Sequence, residues 1–526
     1  MKRGLPLFVL ALFALTVTLG GCTGDRGDAA QNDDLSTPGT PYHGEPVLDG
    51  EIVVGIAQDL GASLDPHQMV AAGTAGLREV LFNVFEGLVK PNPDGELIPA
   101  VAEDFSVDGA VYTFTLREGV TFHNGEPVTV QDVVYSIERS ADATSVSTFV
   151  SAFSVVTRVE ALDERTVQIE IETPDIEFLA FLTIAIIPEG HDDHAQNPIG
   201  TGPFRFVSHA PQENLVLERF DDYWGKPAYL ERVTFRIFGS GEAMAMALHT
   251  GAIDIAGHLT ADMLRNLPVD YYYLAGPMNL VQALWLNNAV PPLDDSRVRQ
   301  ALSWAIDVGE IMEILNGGAG FPIGSSIPPS FTRYFYEELV YTYSVGDRAI
   351  EREVAQELLS QAGFAGGFNL TITVPSNYTP HVITAEVIAE QLRAVGINVT
   401  IDLVEWAWWL SEVNNARQFE ATIIGIAARD LTARSFLERW VSDNRRNMIN
   451  FSLVQQYDEI FWRAQETTDE TEQIALYREL QALLAETAAS VFLQDLVNFV
   501  AINGQLAGWQ FYPLYVMDLA TVYFVE

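Results

Sequence analysis

The sequence predicts an α/β protein that folds into at least two lobes. Runs with the alternation of strands and longer runs with helical spacing are interspersed along the chain rather than gathered in separate blocks. The chain has 526 residues, more than a single hydrophobic core usually supports. We find no repeat of about 20 to 50 residues, so a solenoid or a propeller is not predicted.

Strand signals are clearest in the first half of the chain. Glu51–Ala57 is a short apolar run before the Leu64-Asp65-Pro66 turn, and Val111–Arg117 alternates apolar with polar residues. Val155–Ile171 contains two runs around the polar turn Asp163-Glu164-Arg165, a pattern typical of a β-hairpin. We therefore predict strands in all three segments.

Helical spacing distinguishes four segments. They are Asp132–Ser140, Asp295–Leu315, Ala385–Val395 and Thr471–Leu484. We predict the second as one long helix, and Gly396 ends the third before a strand over Ile397–Val404. The segment Gly200-Thr-Gly-Pro203 cannot be helical and predicts a tight connection.

The first 46 residues have the features of an export signal and a tether. A basic start precedes the apolar run Leu5–Leu19, which is too short to span a membrane comfortably. The end of this run, Leu19-Gly20-Gly21-Cys22, resembles a bacterial lipobox, which implies a signal peptide over residues 1–21 and lipidation of Cys22. Residues 22–46 are rich in Gly, Asp, Asn, Thr and Pro and predict a flexible tether.

These features predict a lipid-anchored protein of the cell envelope. It would lie outside the cytoplasm, in the periplasm or on the outer face of the cytoplasmic membrane. Cys22 is the only cysteine, so no disulfide within the chain is possible.

The chain is strongly acidic, with 71 Asp and Glu residues against 29 Lys and Arg residues and a formal net charge of −42. Such a charge repels phosphate backbones and anionic lipid headgroups, so we exclude nucleic acid as a partner. We interpret the charge as an adaptation for solubility in preference to a site for a cationic ligand.

Motifs of catalysis and metal binding are not found. The sequence has no Gly-x-Ser-x-Gly elbow, no His-Glu-x-x-His and no Gly-x-x-x-x-Gly-Lys loop. His191-Asp-Asp-His194 has a spacing that could ligate a metal, but no third ligand is obvious and we predict a solvated loop. We therefore predict no catalytic residue, no cofactor and no metal.

A series of motifs along the chain resembles the family 5 extracellular solute-binding proteins. In order, they are Asn83-Val-Phe-Glu-Gly-Leu-Val89, Leu97–Glu103, Tyr112–Gly125, Val130–Ser136, Gly200-Thr-Gly-Pro-Phe204, Asp222-Tyr-Trp224, Trp285–Leu302, Leu392–Val399 and Ile474–Gln481. One motif alone is weakly diagnostic, but their order and spacing together are specific and cover nearly the whole chain after residue 46. This family contains the oligopeptide-, dipeptide- and nickel-binding components of ABC importers.

The resemblance implies a two-lobed clamp of the periplasmic-binding-protein type (class II, cluster C), with an extra subdomain inserted in the N-terminal lobe. The implied division is lobe I over residues 47–88, 200–279 and 498–526, the inserted subdomain over 89–199, and lobe II over 280–497. Two chain crossings, near Gly276–Val281 and Val497–Ala501, would act as a hinge. Solute would lie between the lobes and close them.

One segment departs from the pattern of the peptide-binding members. In those members an aspartate, after a Gly-Trp segment and before a Ser-Phe-Leu helix start, binds the ammonium group of the peptide. With Ser435-Phe436-Leu437 aligned, Arg429 occupies the aspartate position and Asp430 is one residue away. An arginine cannot bind an ammonium group and prefers a carboxylate or a phosphate. This departure argues against a site that binds the α-ammonium group of a peptide. The alternative is that Arg429 pairs with Asp430 or Asp443 and does not contact solute.

The resemblance places the candidate solute-binding residues in five segments. They are Val70, Ala71 and Ala72 after the Leu64–His67 turn; Trp285 and Asn287; Tyr378 and His381; Trp406; and Gly425, Ala427, Arg429 and Asp430. Trp406 belongs to Glu405-Trp-Ala-Trp-Trp409, whose three indoles suit a pocket for apolar or ring-bearing solutes. The same three residues could equally pack at the start of a helix.

We therefore expect a monomeric lipoprotein that captures a peptide or peptide-like small molecule and delivers it to the permease subunits of an ABC importer. Alternatives with the same fold are carriers of a sugar, an opine or a metal chelate. An extracytoplasmic hydrolase would be distinguished by turnover of its solute. A tethered sensor or chaperone would be distinguished by a deletion that affects signalling and leaves uptake intact.

Overall fold

The computed structural model describes residues 44–526 except 57–59, 62, 69–74, 146, 148, 428–429, 443, 445–446 and 452–453. The predicted signal peptide, Cys22 and the tether up to residue 43 lie outside the described residues. Four candidate solute-binding residues, Val70, Ala71, Ala72 and Arg429, also lie outside them. In the part of the chain that is described, no helix is both long and apolar enough to cross a bilayer.

Strands and helices alternate along the whole described chain. The strands are β1 Pro46–Val47, β2 Glu51–Ile56, β3 Val89–Pro91, β4 Leu97–Pro99, β5 Ala102–Asp108, β6 Val111–Leu116, β7 Val156–Ala161, β8 Thr166–Ile171, β9 Phe204–Ala210, β10 Asn214–Arg219, β11 Arg232–Ile237, β12 Ile255–Leu259, β13 Tyr271–Leu286, β14 Phe321–Pro322, β15 Asn369–Pro375, β16 Asn398–Val404, β17 Ala421–Ala427, β18 Ser490–Asn503, β19 Leu506–Ala507 and β20 Tyr523–Val525. The helices are α1 Ala75–Leu81, α2 Val130–Ala141, α3 Val150–Phe153, α4 Phe178–Phe181, α5 Gly241–His249, α6 Ala261–Leu264, α7 Ser296–Ala305, α8 Val308–Asn316, α9 Arg348–Gln361, α10 Thr379–Arg393, α11 Trp406–Trp408, α12 Arg434–Leu437, α13 Val454–Glu466 and α14 Glu470–Glu486. Single 3₁₀ turns occur at Pro66–Gln68, Glu337–Tyr341 and Glu438–Trp440, and a π-helical turn follows α11 at Trp409–Asn415.

One mixed sheet organises most of the molecule. Its strand order is β16-β15-β17-β13-β18-β12-β2-β11-β10-β9, and β14 also pairs with β18. The two central strands, β13 with 16 residues and β18 with 14, are long enough to serve both halves of the sheet. We call the half with β2 and β9–β12 lobe I, and the half with β14–β17 lobe II.

A separate antiparallel sheet, β5-β6-β8-β7, is formed between β2 and β9 in sequence. It packs with α2, α3 and α4 around its own apolar cluster, in which Phe114, Phe153 and Phe178 are fully buried. We call this part the inserted subdomain. Lobe I and lobe II each have their own clusters, and Trp440, Tyr457 and Tyr477 are among the largest buried side chains of lobe II.

The predicted α/β class and the predicted strands are confirmed, but the predicted single helix over Asp295–Leu315 is wrong. The structure has two helices there, α7 and α8, and Asp307 lies at the break. Its side chain accepts a hydrogen bond from the Glu310 N–H at 3.1 Å. Because the Asp307 carboxylate caps α8, the chain cannot continue as one helix from α7. The spacing of apolar residues alone does not show this break.

The segment Gly200-Thr-Gly-Pro203 is a tight connection, as predicted. It runs from the inserted subdomain into β9 and lies against the chain after α1. The Gly202 N–H donates to the Val84 carbonyl at 2.9 Å, and the Phe204 N–H donates to the Asn83 carbonyl at 3.1 Å. A Cβ on Gly200 would lie 2.1 Å from the Val84 oxygen, so the contact requires glycine.

Candidate functional site

The two central strands of the sheet lose their register where they pass between the lobes. Pro277 pairs with Val497, and the next pair is Val281 with Asp495, so Met278–Leu280 forms a bulge in β13. Asn279 has φ of 57°, a left-handed conformation that Asn tolerates better than most residues. Its Nδ2 donates to the Tyr512 carbonyl at 2.7 Å, and its Oδ1 accepts from the Ser330 hydroxyl.

Asp495 holds this bulge from the neighbouring strand. Its Oδ1 accepts a hydrogen bond from the Leu280 N–H at 2.8 Å, and the Met278 and Asn279 N–H groups also stabilise the carboxylate. The side chain is completely buried, and Oδ2 has no hydrogen-bond partner in the described part of the chain. Burial raises the pKa of Asp495 to about 7, against the opposing effect of the backbone N–H groups.

The end of β17 forms one wall beside the bulge. The Gly425 N–H donates to Nε2 of His381 at 3.1 Å, and a Cβ on Gly425 would lie 1.7 Å from Cδ2 of Leu280. Nδ1 of the same ring lies 2.9 Å from Nε2 of Gln282, so both ring nitrogens face N–H groups and a neutral ring accepts a hydrogen bond from one of them. Burial lowers the pKa of His381 to about 4, so this ring is neutral and positions Gly425.

An aromatic group from lobe II continues this wall. The Tyr378 ring lies edge-on to Trp406 with centroids 5.3 Å apart, and Trp406 stacks on Trp409 at 5.1 Å. Trp409 is buried and its Nε1 donates to the Thr422 hydroxyl at 2.9 Å, whereas Trp408 is 43% exposed. Trp406 is therefore the indole held between the core and the surface.

Lobe I contributes an opposing group. The buried Glu79 carboxylate lies 2.8 Å from Nε2 of His258, and the His258 ring stacks on Tyr515 at 4.7 Å. Burial raises the pKa of Tyr515 well above its usual value, and the nearby Glu79 and Tyr378 add to this shift. Tyr378 belongs to lobe II, so its phenol acts on the Tyr515 pKa from the opposite lobe.

The structure brings together several of the predicted solute-binding residues. Tyr378, His381, Trp406, Gly425 and Ala427 lie around the end of β17, with Ala427 opposite Leu280 of the bulge. They share this region because α10 begins at Thr379, directly after β15, and α11 begins directly after β16.

Three other predicted residues are engaged within lobe II. The Trp285 Nε1 donates to the Ile424 carbonyl at 2.9 Å, and the Asn287 Nδ2 donates to the Phe419 carbonyl at 2.9 Å. Both side chains are almost fully buried. Asp430 accepts from the Thr432 N–H at 2.9 Å and from its hydroxyl, which organises the turn before α12.

The site also contains residues that the sequence analysis missed. Glu79, His258, Tyr515 and Asp495 come from four distant segments and carry no shared motif. One signal was available: Asp495 interrupts the apolar run Ser490–Asn503, and a charged residue inside a buried strand predicts a special role.

Among the described residues, no group of three or more His, Cys, Asp or Glu side chains is placed so that it could hold a metal ion. The His191 and His194 rings lie 4.5 Å apart. His194 is only 2% exposed, so the predicted solvated loop is wrong for this residue. Burial lowers the pKa of His194 to about 3, which keeps the ring neutral.

Known proteins resemble this chain in both sequence and structure. A model of the bacterial extracellular solute-binding proteins, family 5 (Middle), matches residues 96–448. The dipeptide-binding protein of Escherichia coli (strain K12) is 25% identical over 462 residues, 80% of this chain and 84% of its own. The glutathione-binding protein GsiB of Pectobacterium atrosepticum is 25% identical over 483 residues, 86% of this chain and 90% of its own.

A solved structure extends the likeness to the whole fold. The ABC transporter-associated periplasmic binding protein DppA of Helicobacter pylori, in complex with the peptide STSA, superposes with a TM-score of 0.75 and 26% identity. The match covers 91% of this chain and 99% of that chain, which confirms the predicted two-lobed clamp. The relatives bind solutes and are not enzymes, so the prediction of a non-enzyme is confirmed. The chain belongs to family 5 of the bacterial extracellular solute-binding proteins, the substrate-binding components of ABC transporters.

Proposed function

We propose that this protein captures a peptide or peptide-like solute between lobe I and lobe II and delivers it to an ABC permease. The observation that carries the proposal is the aromatic pair Tyr378 and Trp406 of lobe II beside the β13–β18 crossing, with Tyr378 close enough to Tyr515 of lobe I to influence its pKa. Aromatic side chains bury large areas of solute while their polar atoms fix its orientation. The protein would act as a monomer, anchored to the membrane through lipidated Cys22.

The backbone of β17 supports a peptide-like solute. The Gly425 N–H points away from β13, because it donates to His381. Peptide groups alternate along a strand, so Ala427, two residues further, also directs its N–H and C=O away from β13. Neighbouring β15 pairs with β17 only at Ala421 and Thr422. An extended solute could therefore hydrogen-bond to Ala427 as an added strand would.

We further propose that the clamp bends at the β13–β18 crossing. The family implies lobe boundaries at residues 279/280 and 497/498. The first falls within the bulge of β13, and the second falls beside Val497, which pairs with Pro277 at the start of the bulge. A bulge interrupts the ladder of hydrogen bonds, so φ and ψ can change there with little loss of pairing. Val70, Ala71, Ala72 and Arg429 remain proposed solute contacts.

The test uses the full-length chain with Cys22→Ser. Native mass spectrometry of the purified protein should reveal a bound peptide-like cargo, and scattering should show that the emptied protein compacts when a peptide pool is added. Trp406→Ala should weaken binding of the cargo at least about tenfold, because a buried aromatic contact is lost. The matched control is Trp462→Ala, a residue of α13 that is 49% exposed.

Two results would contradict the proposal. One is an emptied protein whose radius of gyration does not change with any peptide pool. The other is chemical turnover of the cargo, which would favour a hydrolase.

A further inference from the structure

A charged contact joins the inserted subdomain to lobe II. Asp175 and Glu177 lie between β8 and α4, and Arg434 begins α12. The Arg434 guanidinium lies 2.8 Å from Oδ2 of Asp175 and 3.7 Å from Oε2 of Glu177. The Arg434 N–H also donates to Oε1 of Glu177 at 3.3 Å. One arginine thus serves two carboxylates from another part of the molecule.

A tyrosine completes the contact. The Tyr477 hydroxyl of α14 donates to Oε2 of Glu177. Glu177 and Tyr477 are buried, and the Arg434 side chain is 19% exposed. The Arg434 guanidinium also lies 5.3 Å from the centre of the Phe181 ring. A contact of this depth is shielded from solvent, which makes its partners strongly interdependent.

Each half of the contact is held by its own part of the protein. On the subdomain side, the Tyr112 hydroxyl donates to the Asp175 carbonyl at 2.5 Å. On the lobe II side, the Tyr477 hydroxyl accepts from Nε2 of Gln465 at 2.9 Å, and its ring packs edge-on to Tyr334 at 5.6 Å. The two halves are therefore preorganised, and separation of the lobes would break only the contacts between them.

We propose that Asp175, Glu177, Arg434 and Tyr477 form a latch that holds the inserted subdomain against lobe II and stabilises the closed clamp. This inference rests on the proposed function. Arg434 lies four residues beyond Asp430, at the first position of α12, the next helix after β17 in the chain.

The charge balance of the latch gives closure a pH dependence. Glu177 faces Asp175, Arg434, Tyr477 and Tyr334, and burial raises its pKa to about 7 although Arg434 and Tyr477 oppose the shift. In an open clamp the carboxyl would be solvated, with a pKa near 4.5. The closed form therefore binds more protons than the open form. Protonation of Glu177 stabilises the closed form fully below about pH 4.5, and this stabilisation is lost as the pH rises through about 7.

The experiment measures the closed fraction by energy transfer between two dyes. In the full-length Cys22→Ser chain, Glu164→Cys on the subdomain hairpin and Glu353→Cys on α9 provide the only thiols, and both positions are exposed. The probe is the solute released from the purified wild-type protein by denaturation. Arg434→Ala should reduce the closed fraction and weaken binding of the solute at least about tenfold, because the buried Glu177 and the half-buried Asp175 lose the cation they share.

Two further variants keep the proposal testable if Arg434→Ala folds poorly. Asp175→Ala removes a carboxylate of the inserted subdomain that pairs with Arg434. It should also reduce the closed fraction and weaken binding of the solute. Glu177→Gln should fold and should reduce the dependence of closure on pH between about 5 and 8. The matched control is Arg463→Ala, whose side chain is 62% exposed and pairs with Glu472 within lobe II.

The outcomes separate the latch from the proposed function. If the wild-type chain closes on the solute and the latch variants close equally well, the latch is refuted and the proposed function stands. If the wild-type chain does not close on the released solute, the proposed function fails and the latch fails with it. Closure that depends on pH equally in wild type and Glu177→Gln would also refute the role of Glu177.

Discussion

Asp495 shows how a single residue can define the crossing between the lobes. Its carboxylate receives N–H groups from Met278–Leu280 and, within the described chain, forms no ion pair. A buried charge without a cation is unfavourable, yet a bulge leaves backbone donors that need an acceptor. The Asp495 carboxylate accepts hydrogen bonds from these backbone donors, although burial of its charge is unfavourable.

This conflict predicts a pH-dependent stability. The pKa of Asp495 is about 7 in the folded protein, against 3.8 for an ordinary aspartate. The folded state therefore binds more protons, and the resulting stabilisation is full below pH 3.8 and lost as the pH rises through about 7. Asp495→Asn removes this titration and keeps an acceptor for the Leu280 N–H. We expect its free energy of unfolding to fall less between about pH 5 and pH 8, by up to ~1.4 kcal/mol per pH unit.

Urea unfolding at each pH measures this free energy. The control is Glu353→Gln on α9, an exposed carboxylate that should leave the pH profile of the wild type unchanged. A profile for Asp495→Asn that runs parallel to the wild type would show that Asp495 does not titrate in this range.

At the scale of elements, the connection Gly200–Pro203 fixes how the inserted subdomain meets lobe I. Gly200→Ala would place a Cβ 2.1 Å from the Val84 carbonyl oxygen, and backbone atoms cannot move aside as the end of a side chain can. We expect this variant to lose several kcal/mol of stability, in the upper range for point substitutions of about 4 kcal/mol. Thermal unfolding followed by circular dichroism measures the loss.

The chain offers a matched control for this substitution. A Cβ on Gly239 meets nothing within 4 Å, so Gly239→Ala should leave the thermal midpoint almost unchanged. Equal midpoints for Gly200→Ala and Gly239→Ala would mean that the close approach to Val84 is relieved at no cost.

Elements were predicted from the sequence far better than the site. The strand β6 and the helix α10 have apolar residues at regular spacing, and this spacing indicates the type of secondary structure directly. Glu79, His258 and Tyr515 have no such signal, because they meet only after α1, β12 and the C-terminal segment have packed together. Trp285 and Asn287 were predicted as solute contacts from their place in the chain, and their side-chain N–H groups donate to backbone carbonyls of lobe II.

At the scale of the whole molecule, charge is the dominant feature. The net charge of −42 arises because 71 acidic side chains are accompanied by only 29 Lys and Arg side chains, so acid–acid repulsion outweighs attraction over the whole chain. Exposed pairs such as Arg165 with Glu103 and Glu118 offset only part of this repulsion, since each contributes about 0–1 kcal/mol.

This balance predicts that salt stabilises the protein. The screening length falls from ~30 Å at 0.01 M to below ~10 Å at 0.5 M, which suppresses the many long-range repulsions more than the few attractions. We expect the thermal midpoint to rise with sodium chloride over this range. Because general salt effects on apolar surface would act similarly, the control replaces exposed acids with lysine, for example Glu353→Lys with Asp192→Lys. These substitutions should raise the midpoint at low salt and reduce its dependence on salt. A midpoint that falls with salt, or an equal dependence in the lysine variant, would show that self-repulsion does not limit the stability of this fold.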